Sequence, residues 1–328
     1  MAVAVLLFSA GCGVAGGGDG ETVRVYSGRH YDLERAFEVF ADETGVDVEF
    51  LFGNDAELRE RIQAEGEDTQ ADLFITVDAG NLATAAEQGL FRPVRSRVLE
   101  EAIPENLRDP EGRWYGLSIR ARTIMYNPEN VSESELSTYE DLADPRWRGR
   151  LCLRTSANVY TQSLVASLIA HHGREEALRI VRGWAENARI MSNDVEILES
   201  IAEGVCDVGI TNHYYLARLY EEDPDFPVRP FWANQEDRGV HVNISGAGVT
   251  RDAENSEAAL RLLEWLATDG QEVFVAGNHE YPANPSVRPD RLLRDRFGDE
   301  FRRDELDAAR FGGLNSEAIE LMDEAGYR

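Results

Sequence analysis

The chain has 328 residues, 43% of them apolar and 29% charged, which is enough for two domains that each bury a core. Its formal net charge is −28, with 61 acidic side chains against 33 basic ones, and every basic one is arginine. A surface this acidic excludes a nucleic-acid partner, whose phosphates need a basic face.

The opening run MAVAVLLFSAGC is apolar but too short to span a bilayer. It ends in small residues, as export signals do. Ala10, Gly11 and Cys12 read as a lipoprotein processing site with Cys12 lipidated, although Ser9 stands where leucine is usual and no positive segment precedes it. GVAGGGDGE then reads as a flexible tether, so residues 1–21 are expected to serve as signal remnant, anchor and tether. The expectation is an exported protein, periplasmic or at the cell surface, whose only membrane attachment is the lipid.

TVRVYSG alternates as a strand should, with Val23 and Val25 on one face. Asp32 is placed to cap a helix that carries Leu33, Phe37 and Phe40 and stops at Gly45. VDVEFLF is a second strand, and Asn54 with Glu57 predicts a capping box for a helix running to Gly66. ADLFITVD has the continuous apolar look of a central parallel strand, with Asp78 at its carboxyl end and another helix following to Gly89. Strands alternating with helices predict a doubly wound sheet.

SIRARTIMYN, from Ser118 to Asn127, reads as a strand leaving this unit for a second α/β body. That body contains the strand GRLCLRT, a loop through Tyr160, a helix carrying Leu164 and Leu168, the helix VEILESIAEG, and the strand CDVGIT. HVNISGAGVT is a later strand that crosses back, with Gly246 and Gly248 suited to a bend or a close backbone approach. The predicted architecture is α/β and two-lobed, joined by two crossing strands, with a ligand cleft between lobes that close by hinge motion. Lobe 1 is expected over 22–120 plus 246–300, and lobe 2 over 121–245 plus 301–328. Cys152 and Cys206 remain once Cys12 is set aside, and in an exported chain they are either a disulfide or two free thiols.

Tyrosines recur where ligands are expected in such folds. Tyr214 and Tyr215 fall where a buried strand gives way to a helix, His30 and Tyr31 follow the first strand, and Tyr160 follows another. Any tyrosine pair is more often packing than chemistry. Phenolates are nevertheless suited to a hard trivalent cation such as Fe(III), and a highly charged ion can deprotonate them. Four phenolates exceed the charge of Fe(III) by one, so a nearby cation is expected, from Arg29, Arg120 or Arg122.

The segments YSGRHYD, RARTIMYNP, ELSTYEDLADPRWRGRL, SANVYTQSLVASL, NHYYLARL, NQEDRGVHVNISGAGV and NSEAIELMDEAGYR, in that order, resemble the ferric-iron substrate-binding proteins of ABC transporters. This group is called the bacterial transferrins, and the likeness is to its tyrosine-rich subgroup. The resemblance covers nearly all of the chain after the tether. It implies an extracytoplasmic, monomeric receptor that captures Fe(III) and hands it to an ABC permease of an iron uptake system, with an anion such as carbonate as a possible companion of the metal.

Carried over by residue, the ligands would be His30 and Tyr31 in the first lobe and Tyr160, Tyr214 and Tyr215 in the second. Asp78 stands where some relatives with fewer tyrosines place a carboxylate ligand, and is read here as a supporting polar group behind the metal or merely as a polar group at a strand end. Tyr126 and Tyr139 read as structural, as do His171, His172, His213, His241 and His279. Two other readings stay in view. One is a receptor for a different solute, an anion or polyamine held by the tyrosines. The other is a metal-dependent hydrolase, disfavoured because neither H-E-x-x-H, nor G-x-S-x-G, nor a phosphate-binding glycine loop occurs.

Overall fold

The computed structural model describes residues 21–29, 33–298 and 300–328. Cys12, His30, Tyr31 and the Asp32 cap lie outside the described residues. The chain opens with β1 (Thr22–Ser27), α1 (Leu33–Thr44), β2 (Asp47–Phe52), α2 (Asp55–Glu65), β3 (Leu73–Thr76) and α3 (Ala79–Glu87). In α1 the buried positions Leu33, Ala36, Phe37 and Phe40 keep helical spacing and form the stripe that faces the core. Asn54 caps α2 by accepting from the Ala56 amide at 2.9 Å, one residue earlier than a capping box would use, and Gly66 ends the helix with φ 58°.

β1 pairs in parallel with β2 and β3. All four residues of β3 are buried, as the apolar run predicts, but only one neighbour is parallel: its other flank pairs antiparallel with β9 (Val242–Val249). Burial on both faces sets the composition of a strand without fixing the direction of the strands beside it.

After α4 (Arg97–Ala102) comes β4 (Tyr115–Tyr126), buried along its whole length. Up to Ala121 it pairs with β9, and from Arg122 it pairs with β7 (Val208–Asn212) and β8 (Arg229–Phe231). This strand therefore carries the chain from one half of the sheet to the other. The return is made by residues 232–241, which lead into β9. In β9 a Cβ at Gly248 would stand 2.5 Å from the Arg113 carbonyl oxygen and one at Gly246 2.7 Å from that of Tyr115, so both positions require glycine for close approach.

The second half contains β5 (Leu151–Arg154), α5 (Val159–His172), α6 (Arg174–Asn187), β6 (Ala188–Met191), α7 (Asp194–Ala202), β7 and α8 (His213–Glu222). β5 lies parallel between β6 and β7. Cys152 in β5 and Cys206, their Cα atoms 5.9 Å apart, form a disulfide.

The remainder comprises α9 (Ser256–Ala267), α10 (Gln271–Ala276), β10 (Tyr281–Pro282), α11 (Arg291–Phe297), α12 (Ala308–Gly312) and α13 (Asn315–Glu324). β10 pairs with β4 at Ser118 and Ile119. α11 packs on α8, α13 packs on α5 and α6, and α12 touches both α3 and α5, so the end of the chain ties the two halves together. Tyr139 is structural, as expected: it is fully buried and donates to the Arg122 carbonyl at 2.5 Å.

Candidate functional site

The carboxyl ends of the parallel strands face one region. Arg29 follows β1 and Asp78 follows β3; on the other side Tyr160 follows β5, and Tyr214 and Tyr215 follow β7. Tyr160 is not in a loop, as the sequence suggests, but in the first turn of α5. There Asn158 caps the helix by accepting from the Tyr160 amide at 2.9 Å. Tyr214 and Tyr215 occupy the first turn of α8, where the predicted strand-to-helix junction falls. All three phenols stand at helix N-termini, which carry partial positive charge.

The phenols form one cluster. The rings of Tyr214 and Tyr215 are 4.4 Å apart, and Asn212 donates to the Tyr214 hydroxyl at 3.3 Å. Tyr214 is 1% exposed, and its pKa is pushed well above the ordinary value, first by burial and then by the neighbouring phenols of Tyr160 and Tyr215. With no ion bound, Tyr214 is therefore a neutral phenol.

Guanidiniums surround it. Arg120 lies 5.2 Å and Arg154 5.5 Å from the Tyr160 ring centre, while Arg218 lies 5.3 Å from that of Tyr214. Burial works against the charge of Arg120, yet Tyr160, Glu280, Tyr214 and Asp78 together hold its pKa above the usual range. Arg29 is fully buried over the Phe274 ring, donates to the Phe274 carbonyl at 2.8 Å and sits 3.5 Å from Glu280. Glu280 is buried too, and against that desolvation Arg29 and Arg120 keep its carboxyl below its ordinary pKa, with Ser118 and Asn278 donating to it.

The predicted charge donors thus divide. Arg120 meets the phenols, whereas Arg122 turns to Asp194, at 2.7 Å, and donates to the Ile210 carbonyl at 3.1 Å. Asp194 also pairs with Arg154, so one fully buried carboxylate sits between two arginines. Asp78 caps α3 through the Gly80 amide at 2.7 Å and accepts from Asn243 at 2.6 Å, and burial pushes its pKa up to about 6. It is a strand-end cap first, and both of its oxygens are engaged.

His213 is held by the backbone: it accepts from the Ala121 amide at 3.1 Å and donates to the His279 carbonyl at 2.8 Å, and burial lowers its pKa to about 4. Among the described residues, no group of three or more His, Cys, Asp and Glu side chains is placed to hold a metal ion. Sequence reasoning missed Arg154, Asp194, Arg218 and Glu280. Arg154 closes the strand LCLR, and an arginine at a strand's carboxyl end was the one available signal.

Two α/β halves joined by a shared long strand, with polar side chains converging from the strand ends of both, define a solute-binding protein. The chain belongs to the bacterial extracellular solute-binding proteins, whose family model matches residues 68–299. It is 41% identical over 321 residues to iron uptake protein A1 of Synechocystis sp., covering 95% of this chain and 89% of that protein. It is 26% identical over 271 residues to the major ferric iron-binding protein of Neisseria meningitidis, covering 81% of this chain and 82% of that one. Among solved structures, the Trichodesmium protein (IdiA, FutA) in complex with iron and citrate superposes with a TM-score of 0.90 at 42% identity, over 94% of this chain and all of that one. The relatives are described as iron-uptake and iron-binding proteins, and the fold is that of the ferric-binding structures.

Proposed function

We propose that this protein captures Fe(III) outside the cytoplasmic membrane and delivers it to an ABC permease without catalysing a reaction. The observation that carries the reading is the convergence of Tyr160 and Tyr214 on Arg120, with Tyr215 against Tyr214, at the N-termini of α5 and α8. These phenolates would be the ligands from the second lobe, spanning 121–245 plus 301–328. His30 and Tyr31 would complete the set from the first lobe, 22–120 plus 246–300. Arg120 and Arg29, partly balanced by Glu280, offset the excess negative charge, and Asp78 holds α3 in place behind the site. A monomer suffices, tethered to the membrane by a lipid on Cys12. No anion is needed to balance the charge, but carbonate or another small anion has a cation beside it in Arg120.

The names of the relatives support ferric iron as cargo, and the donor chemistry supports it independently, since hard trivalent ions favour anionic oxygen. The test is a titration of metal-free protein with chelated Fe(III), followed through the visible phenolate-to-iron charge-transfer band, beside Tyr160→Phe. A stoichiometric band that weakens or shifts in the variant is expected. No band and no competition with the chelator would overturn the reading in favour of an organic-solute receptor.

A further inference from the structure

We infer that His213 is a positioning residue: by bridging the crossing strand β4 and the turn at His279, it sets where α8 holds the phenols of Tyr214 and Tyr215. The inference rests on the ferric reading proposed above. His213 is the first residue of α8, fully buried and immediately before the two tyrosines. A neutral imidazole offers one acceptor and one donor, and here both are used. Nδ1 accepts from the Ala121 amide at 3.1 Å, and Nε2 donates to the His279 carbonyl at 2.8 Å.

Ala121 is the last residue of β4 to pair with β9, and the next one, Arg122, already pairs with Asn212 of β7. The ring therefore fixes α8 at the point where the chain passes from one half of the sheet to the other. Asn212, which donates to the Tyr214 hydroxyl, belongs to the same register.

His279 has a φ of 49°, in the left-handed region that side chains other than glycine seldom adopt. Its imidazole meets Glu221, near the end of α8, at 2.9 Å and Asp290, the N-cap of α11, at 2.7 Å. One residue thus grips α8 at both ends, through its carbonyl at His213 and through its ring at Glu221. Glu280 comes next and lies 3.5 Å from Arg29, so the same turn reaches the arginine that follows β1. Tyr281 then packs on the His213 ring, with centres 4.9 Å apart, and enters β10 beside β4. Groups that orient metal ligands from behind are typically worth about 10–100-fold in metal affinity.

The test compares His213→Met, which fills space but removes both bonds, with His213→Gln, whose amide offers one donor and one acceptor. Asn187→Leu is the control for stability alone, since it also strips two backbone carbonyls, of Leu142 and Asp144, of their donor. Each protein is titrated with chelated Fe(III) while the visible phenolate-to-iron band is recorded. His213→Met should bind at least about tenfold more weakly, with a shifted band. His213→Gln should recover the band position and most of the affinity, and Asn187→Leu should match the wild type in both. A glutamine variant no better than the methionine one overturns the inference, because only the volume of the ring would then matter. A band shifted equally by Asn187→Leu overturns it too, by making the effect general destabilisation. No band in the wild type fells the ferric reading and this inference with it, whereas a wild-type band unchanged in His213→Met fells this inference alone. If His213→Met does not fold, His213→Asn replaces it: its amide is too short to reach both backbone partners, and an unchanged band and affinity there are equally decisive against the inference.

Discussion

Asp194→Asn should be among the most destabilising isosteric changes in the molecule. Asp194 is fully buried at the first position of α7, pairs with Arg122 at 2.7 Å and with Arg154, and accepts from the Asn212 amide at 3.1 Å. Asparagine keeps the shape and one acceptor but removes the charge that two desolvated guanidiniums share. Breaking a buried pair from one side costs about 3–5 kcal/mol, and here two cations are left uncompensated, which favours the upper part of that range. Such a loss is a large share of the ~5–15 kcal/mol that holds a typical domain together. Urea unfolding of the oxidised protein, followed by far-UV circular dichroism, measures it. Arg154→Met added to Asp194→Asn removes one orphaned cation, so the double variant should be more stable than the sum of the two single losses by about 1–3 kcal/mol. A single-variant loss below about 1 kcal/mol, or strict additivity, would refute the claim that this carboxylate neutralises both arginines.

Three other outcomes follow from the same coordinates. Tyr214→Phe and Tyr215→Phe should each weaken Fe(III) binding at least about tenfold, while stability falls by only about 1 kcal/mol, the worth of one hydroxyl hydrogen bond. Unchanged ferric affinity in both, in competition with a chelator, would sink the ligand assignment. Reducing the Cys152–Cys206 bridge, which spans a separation of 54 residues, should cost about 4 kcal/mol by loop entropy. A Cys152→Ala/Cys206→Ala variant as stable in urea as the oxidised wild type would refute that. His241 is fully buried against Phe311, with Arg122, Arg238, His171 and Arg120 adding to the burial that lowers its pKa to about 3. Its folded pKa lies below the unfolded value of about 6.5, so its neutral form is the stable one. The contribution is complete above pH ~6.5 and is lost as pH falls toward 3, by about 2 kcal/mol at pH 5. His241→Phe should flatten this part of the stability profile between pH 7.5 and 5, and an unchanged slope would assign acid sensitivity elsewhere.

What was legible in the sequence was local. The junction at Tyr214 is a buried strand running directly into an amphipathic helix, and both signals lie within a dozen residues. Tyr160 was placed in a loop because TSAN reads as turn chemistry, although its last residue is an N-cap and the helix has already begun. The cysteines left two outcomes open, and the 5.9 Å separation of their Cα atoms decides for the bridge. Pairings across the fold were illegible. Arg122 meets Asp194 from 72 positions away and Arg29 meets Phe274 from 245 away, and neither strand nor helix periodicity encodes such distances. For that reason Arg122 read as equivalent to Arg120, when one is neutralised by a carboxylate and the other lies against the phenols.

That division has a consequence for selectivity in the proposed reading. A buried phenol resists ionisation, and Tyr214 resists it further because Tyr160 and Tyr215 would be charged beside it. Ionising the cluster therefore costs desolvation and mutual repulsion together, and a single buried arginine returns only part of that. Arg120 serves in this role because its charge is not already spent on Asp194, and Glu280 limits how far it and Arg29 can stabilise phenolates on their own. The remainder must come from the cargo. A divalent ion supplies too little charge density to displace several phenolic protons near neutral pH, whereas a trivalent one can deprotonate its ligands outright. Keeping Tyr214 neutral in the apo state is thus itself a filter: an ion binds there only if it can drive off the proton, and each phenolate formed increases the attraction that holds the ion in place.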